Sequence, residues 1–394
     1  MKPYSTKRLI VIIGLILASI GSVVYFLTVK HKTTQPVNLS FYSWQNRFSL
    51  DSNTYLFLQK HRVSHLRVKL FELSFDRPSN SAVVNNYIQP DFNARNCQDF
   101  FLTNTLTPVV FIDNEIFYSI DSAAIRNMAG LVKRAMVIHS ANLFHPDRSQ
   151  WANIWDQLYF SLEMYESKPD SLNKAYQQFK KNIVSYEFDC DWTERTQKKY
   201  FYFLQQVKDS LQKKTEATLR LHQYKYRDKT GIPPVDGVNL MCYNMGELSN
   251  EKETNSIFDS KILAQYIKGQ APYPVPMNIA LPSFSWVAVF RNKQFYKLLP
   301  SKDLESYLKD SYNVKKINET NFTVLNETYY HWSNEALQPG DHLRVEKVDT
   351  KILIQGYDLL IKELQVSPQE VIIFDLNNTS KTDDFDELAK HINP

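Results

Sequence analysis

The sequence predicts an α/β fold: a (β/α)8 TIM-like barrel with an insertion before its last strand, preceded by one N-terminal transmembrane helix. Two observations predict the barrel. After residue 36, short runs rich in β-branched and aromatic residues alternate with longer segments whose apolar residues recur at helical spacing, which is the pattern of βα units around a parallel sheet. Eight strand-like segments occur, the number that closes such a barrel. The barrel is therefore predicted over residues 37–390.

Residues 9–29 are predicted to cross a membrane because they contain 21 positions without a charged side chain. As a helix, this run spans about 32 Å, which is enough for the hydrocarbon core of a bilayer. The flanking basic residues and the free amine favour a cytoplasmic N-terminus and a barrel on the outer side, periplasmic or extracellular. For residues 1–32, a cleaved signal peptide is the alternative to a retained membrane anchor.

The strands are predicted from apolar runs and alternation, and the helices from apolar residues three and four positions apart. The predicted strands cover residues 39–44, 65–73, 106–113, 182–191, 217–225, 236–245, 277–289 and 371–376. The predicted helices include residues 51–61, 122–139, 150–166, 171–181, 199–213, 256–268 and 350–364. Residues 290–346 are polar and follow neither period, which predicts an irregular insertion over one face of the barrel.

Composition argues against several classes of function. The formal net charge of +4 is small for 394 residues and no long basic run occurs, so nucleic acid is not an expected partner. With 9 glycines and no glycine-rich phosphate motif, no nucleotide cofactor is expected. The three cysteines are too scattered for a disulfide framework or a zinc site. Cys190 and Cys242 are predicted on outward strand faces, as small buried apolar residues.

The fourth predicted strand ends in a row of acidic residues. Because side chains alternate along a strand, Glu187, Asp189, Asp191 and Thr193 share one face. Like charges disfavour each other's ionisation, and burial adds to that effect. The row therefore indicates the floor of a polar pocket, where perturbed carboxylates are common. The alternative is a strand end with a solvated rim.

In a (β/α)8 barrel the working face lies at the C-terminal ends of the strands. Aromatic rings beside carboxylates and amides suit carbohydrate, because sugar rings stack on aromatic faces and sugar hydroxyls bond to acids and amides. The candidate catalytic residues are Asp189, Asp191 and Tyr243. The candidate substrate-binding residues are Trp44, Glu187, His222, Tyr224, Asn244 and Trp286. Alternatively, Arg220, His222 and Tyr224 only satisfy buried acids, as Arg67 and Lys69 are expected to do. A metal bound by Asp189, Asp191 and His222 is a weaker alternative.

Three segments resemble glycoside hydrolase family 18, the chitinase-like barrels. Residues 188–193, with the sequence FDCDWT, resemble the D-x-x-D-x-D-x-E strand of that family. Residues 241–244 (MCYN) resemble its M-x-Y-D motif, and residues 281–284 resemble its seventh strand. The chain is also similar to uncharacterised bacterial barrel proteins with D-F-D on this strand and W-Q on the first.

The resemblance implies a role for each matched position. Asp189 and Asp191 match the two Asp positions, of which the second orients the substrate acetamido group, and Tyr243 matches the Tyr that supports the intermediate. Thr193 stands where the family has its general-acid Glu, and a Thr hydroxyl does not ionise near neutral pH. Three hypotheses follow. They are a membrane-anchored hydrolase of an envelope glycan with Asp189 or Asp191 as its acid, an inactive glycan-binding barrel, and an envelope scaffold that presents residues 290–346.

Overall fold

The computed structural model describes residues 37–90, 95–144, 170–326, 336–364, 368–377 and 383–393. Eight parallel strands form a closed barrel, because the first strand pairs with both the second and the last. These strands are β1 (Asn38–Ser43), β3 (His65–Asp76), β6 (Thr105–Ile112), β7 (Ser185–Asp189), β8 (Lys214–Arg220), β9 (Gly237–Met241), β10 (Met277–Pro282) and β16 (Glu370–Phe374). The predicted (β/α)8 barrel is confirmed.

Each predicted strand overlaps one strand of the barrel, and the predicted ends of β8 and β10 differ most from the observed ends. β8 ends at Arg220, where the backbone N–H donates to Gln223 Oε1 at 2.7 Å and residues 221–225 begin a short helix. β10 ends at Pro282, so residues 285–289 belong to a second sheet. Cys190 and Cys242 are fully buried, as expected for outward-facing residues beneath the helical layer.

Helices cover the outside of the barrel where the sequence shows helical spacing, except for residues 301–304, which form a short helix packed on the second sheet. They are α1 (Ser52–Lys60), α2 (Arg95–Thr103), α3 (Glu115–Ser119), α4 (Ser122–Phe144), α5 (Asp170–Asn182), α6 (Gln197–Leu211), α7 (Leu221–Lys225), α8 (Arg227–Thr230), α9 (Ser260–Ile267), α10 (Ser301–Leu304), α11 (Thr350–Leu364) and α12 (Asp383–Ile392). The predicted helix over residues 150–166 and the predicted anchor, residues 1–32, lie outside the described residues. Among the helices that the structure describes, none combines the length and apolar character of a membrane span.

β3 continues past the barrel and pairs antiparallel with β4 (Ser81–Asn85). This hairpin was not predicted from the sequence. A two-residue pairing joins β2 (Arg47–Phe48) to β5 (Gln89–Pro90). Both additions follow the C-terminal ends of β1 and β3, so they extend one side of the barrel mouth.

The insertion is an ordered antiparallel sheet, which corrects the prediction of an irregular segment. It begins at residue 285 and contains β11 (Ser285–Arg291), β12 (Gln294–Pro300), β13 (Val314–Lys316), β14 (Asn321–Val324) and β15 (His342–Lys347). Its inward faces form an apolar core of their own, including Val287, Leu304 and Leu343. The strands are short, and polar residues alternate with that core, so the segment looked irregular in the sequence.

A buried ion cluster fills the barrel below the mouth. Arg67 donates from Nη1 to Glu187 and to Glu216, each at 2.7 Å, and from Nη2 to Glu370. Glu187 also accepts a hydrogen bond from the Tyr42 hydroxyl. Buried ions are stable only when they are paired and hydrogen-bonded. Arg67 therefore has the charge-pairing role predicted for it, with three carboxylates on three strands.

Candidate functional site

Two carboxylates at the end of β7 have very different surroundings. Asp189 is buried, with Thr218 Oγ1 donating to its Oδ1 at 2.6 Å. Burial, and then the nearby charge of Asp191, raise the pKa of Asp189 to about 7. Asp191, two residues after Asp189, is half exposed. It accepts hydrogen bonds from Nε and Nη2 of Arg220, both at 2.6 Å. The site thus holds one carboxyl group that titrates near neutrality beside one that is held by a guanidinium.

A cavity of about 220 Å³ opens beside Asp191 at the mouth. Its lining residues come from the segments that follow β7, β8 and β9, and one comes from α9. They are Asp191, Arg220, Leu221, His222, Tyr243, Asn244, Met245 and Tyr266. Four of the predicted site residues therefore meet at one cavity: Asp191, His222, Tyr243 and Asn244.

Tyr243 forms the buried wall of this cavity. Burial, and then the negative charge of Asp189, raise the pKa of its hydroxyl well above the usual value, so the hydroxyl is a neutral hydrogen-bond donor. Asn244 follows with a φ of 52°, a left-handed conformation that Asn tolerates better than most residues. This turn at the end of β9 brings Tyr243 and Asn244 to the same cavity.

Aromatic rings line the side of the mouth formed by β1, β10 and β16. Phe374 lies 5.1 Å from the Tyr243 ring and 5.4 Å from the Trp44 ring, measured between centroids. Phe284 lies 5.7 Å from Phe374 and 5.0 Å from Trp286. The Trp44 ring also lies 5.5 Å from the Lys69 ammonium. The mouth thus has an aromatic side facing an ionic side, an arrangement that suits a sugar ring.

Five predicted site residues do not line this cavity. Two of them, Asp189 and Trp44, lie at the mouth as described above, and the other three lie elsewhere. Glu187 is fully buried one layer lower and is bonded to Tyr42 and Arg67. Tyr224 lies on α7 rather than on a strand, and its ring packs 5.8 Å from Tyr273 in the outer layer. Trp286 lies on β11 of the second sheet, where its indole N–H donates to Glu346 at 3.0 Å. The predicted position of Tyr224 on a strand is wrong because the strand ends at Arg220.

Thr193 lies in the turn before α6. Its hydroxyl is 3.1 Å from the Tyr118 hydroxyl and 3.2 Å from the Thr196 hydroxyl. Trp192 before it is fully buried and donates to the Thr230 carbonyl, while Glu194 after it is exposed. The position that a general-acid Glu occupies in the motif therefore carries a hydroxyl engaged with two other hydroxyls.

Sequence reasoning missed Thr218, Phe374 and Tyr266. Thr218 shares the inward face of β8 with Glu216 and Arg220, so alternation could have found it. Phe374 follows Glu370 and Ile372 on the inward face of β16 in the same way. Tyr266 lies on α9, and no local signal points it toward the mouth. Among the described residues, no group of three or more His, Cys, Asp or Glu side chains could hold a metal ion, which leaves the metal alternative without support.

No protein-family model matches the chain, and no curated protein matches it. Solved structures do match. The spore cortex-lytic enzyme SleL of Bacillus cereus has 15% identity over 92% of this chain and 75% of its own, with a TM-score of 0.46. A chitinase from Chromobacterium violaceum has 11% identity over 90% and 98%, with a TM-score of 0.46. A chitinase from Bacillus thuringiensis has 9% identity over 91% and 70%, with a TM-score of 0.43.

Chitinases are among the solved structures to which this chain is similar, and the strand motifs predicted a resemblance to chitinase-like barrels. Matches of this identity and TM-score show no activity, because one barrel fold hosts many unrelated reactions. The residues at the mouth carry the evidence for function.

Proposed function

We propose that this protein acts on a glycan at the mouth of its barrel, with Asp189 as proton donor. The observation that carries this proposal is the unequal pair of carboxylates at the end of β7. Burial raises the pKa of Asp189 to about 7, while Asp191 is held as a hydrogen-bond acceptor by Arg220. A buried carboxyl group with a raised pKa beside a carboxylate that accepts hydrogen bonds from a guanidinium is an arrangement that suits an acid and its charged partner.

Each group then has one task. Protonated Asp189 gives its proton to the leaving glycosidic oxygen as the bond between that oxygen and the anomeric carbon breaks, and Asp191 stabilises the positive charge that develops at this carbon. A water molecule then attacks the anomeric carbon and gives a proton to the Asp189 carboxylate, which restores the acid. Tyr243 donates a hydrogen bond from its neutral hydroxyl. Trp44 and Phe374 provide aromatic faces for a sugar ring. Thr218 holds one oxygen of Asp189 in place.

A second candidate function is glycan binding without hydrolysis. Thr193 favours it, because a Thr hydroxyl cannot serve as a general acid near neutral pH. In addition, the exposed carboxylate at the cavity, Asp191, is already engaged by Arg220. In this version the aromatic side and the Asp191–Arg220 pair hold the sugar, and Asp189 stays a buried structural acid.

One experiment separates the two candidates. The wild type and the Asp189→Asn variant are incubated with a panel of peptidoglycan, chitin-type and host-type oligosaccharides, and products are followed by mass spectrometry. We expect the hydrolysis rate of the variant to be ~10²–10⁴-fold lower than that of the wild type, because residue 189 then has no carboxyl proton to donate. The wild-type rate should also fall as the pH rises through about 7, since Asp189 then loses its proton. Asp228→Asn, an exposed carboxylate on α8, is the control and should keep the full rate.

Binding is measured on the same panel by calorimetry. If no member is cleaved but one is bound, and Trp44→Ala weakens that binding about 2–10-fold, the second candidate is correct. If the wild type neither binds nor cleaves any member of the panel, both candidate functions are wrong and the scaffold hypothesis remains.

The proposal includes a location in the cell envelope. Residues 9–29 anchor the chain with its N-terminus in the cytoplasm, and the barrel meets its glycan on the outer side. The charge-free run of 21 residues supports this location. We expect the full chain to remain in the membrane fraction after a carbonate wash and its barrel to be digested by protease added from outside. A fully soluble chain, or a barrel protected in intact cells, would contradict it.

A further inference from the structure

A second and larger cavity, of about 580 Å³, opens at the opposite end of the barrel from the mouth. It lies at the N-terminal ends of β8, β9 and β10, where those strands begin. Its lining residues are Lys214, Glu216, Asp236, Gly237, Tyr273, Pro274, Val275, Pro276, Met277, Asn278 and Gln369. We call it the lower cavity. It shares no lining residue with the cavity at the mouth.

The floor of the lower cavity carries surplus negative charge. Glu216 lines it with a side chain that is 13% exposed and belongs to the cluster around Arg67. The guanidinium keeps the pKa of Glu216 and that of Glu370 below their usual values, Glu370 at about 2, whereas burial raises the pKa of Glu187. At neutral pH, Glu216 and Glu370 are therefore both ionised against one Arg67. Oε1 of Glu370 accepts no hydrogen bond and lies 3.4 Å from Nδ1 of His65. Burial lowers the pKa of His65, so His65 adds no positive charge to the cluster at neutral pH.

The walls of the lower cavity are partly apolar. Tyr273, Pro274, Pro276 and Met277 surround the acidic floor. The Tyr273 side chain is 6% exposed and its buried hydroxyl has no hydrogen-bond partner. Asp236 lies at the rim in an ion pair with Lys208, and Lys214 at the rim is exposed. A ligand that fits has a cationic end for Glu216 and an alkyl body for these walls.

We propose that the lower cavity binds a small organic cation of the alkylammonium class. An ammonium group offers three hydrogen-bond donors and no acceptor, which matches a floor of carboxylate oxygens. The concave shape and the mixture of apolar wall with few polar groups are typical of small-molecule sites. The site is independent of the glycan proposal, because it lies at the other end of the barrel.

Gly237 makes the proposal testable because it lies next to Glu216 in the cavity. It lies on β9, and a Cβ placed on it would be 3.5 Å from Glu216 Cγ, an ordinary contact. Gly237→Val therefore places three carbon atoms against Glu216, where the ammonium group would bind, at a position where a β-branched residue suits the strand. Glu216→Gln keeps the shape of the side chain and removes its charge.

The probe is putrescine, a four-carbon diamine, tested on the full chain by thermal unfolding and calorimetry. We expect a rise of about 2–4 °C in the unfolding midpoint at saturating putrescine, and no rise with 1,4-butanediol or with NaCl of equal ionic strength. Gly237→Val should abolish the rise, and Glu216→Gln should weaken the affinity at least about tenfold. Asp189→Asn at the mouth should leave it unchanged.

Three results would overturn the proposal: no stabilisation of the wild type, an equal rise with butanediol, or a rise that survives in Gly237→Val. If the Gly237→Val chain does not fold, Asp236→Asn at the rim replaces it. Asn still accepts the hydrogen bond from the Thr215 N–H that Asp236 now accepts at 2.9 Å. That variant should bind putrescine more weakly than the wild type, and unchanged binding in both Asp236→Asn and Glu216→Gln would refute the site.

Discussion

Arg67→Met is expected to lower the free energy of unfolding by about 3–5 kcal/mol, because it leaves buried carboxylates without their cation. Arg67 is 1% exposed and binds Glu187, Glu216 and Glu370. Methionine nearly fills the same volume, so the loss measures charge and hydrogen bonding more than packing. Urea unfolding followed by circular dichroism gives the value.

The pH dependence of that loss identifies its cause. In the wild type, Arg67 lowers the pKa of Glu370 to about 2. A lowered folded-state pKa gives stability that is present above the unfolded pKa and is lost as the pH falls toward 2. In Arg67→Met this stabilisation is absent, so the difference between the two proteins should be larger at pH 7 than at pH 3.

Arg77→Met is the matched control for this prediction. Arg77 pairs with Glu115 at 2.8 Å, but both side chains are largely exposed, and such pairs contribute little. No measurable change is expected. Equal losses for the two variants, or a loss in Arg67→Met that does not vary with pH, would show that the buried cluster is not what Arg67 stabilises.

The sequence predicted the strands of the barrel better than the ends of those strands. Strand interiors carry apolar runs long enough to be recognised, and all eight barrel strands were found. The end of β8 depends on one side chain, Gln223, which caps a helix turn. Because the strand ends there, His222 and Tyr224 lie on a helix, with His222 at the cavity and Tyr224 in the outer layer.

The sequence predicted that the buried charges would be paired, but not which residues would be their partners. Arg67 was expected to neutralise an inward acid, and it does. All three of its acids lie on strands that are distant in sequence, at 120, 149 and 303 residues from Arg67, and only the closed barrel brings them together. For the same reason Asp191 pairs with Arg220 of the next strand. Local alternation gives the face of a residue, but the register between strands decides which residue it meets.

Asp189 is expected to destabilise the folded protein as the pH rises from about 4 to about 7. Its folded-state pKa of about 7 lies above the usual value of 3.8 for an Asp side chain. In this window the unfolded chain has already released the proton that the folded chain still holds, so stability decreases with increasing pH. A shift of this size corresponds to a loss of about 4 kcal/mol between the two limits. Asp189→Asn removes this loss, since Asn has no charge to bury and its Oδ1 can still accept from Thr218.

The measurement is the difference in free energy of unfolding between Asp189→Asn and the wild type at several pH values. The difference should increase in favour of the variant between pH 4 and pH 7 and level off above that. Subtracting the two curves cancels the groups that both proteins share, including Glu187 and Glu370. Asp228→Asn should give a flat difference, because that carboxylate is exposed. A flat difference for Asp189→Asn as well would mean that Asp189 has the same pKa in the folded protein as in the unfolded chain. A residue that is already ionised well below pH 7 could not be the proton donor proposed for the mouth.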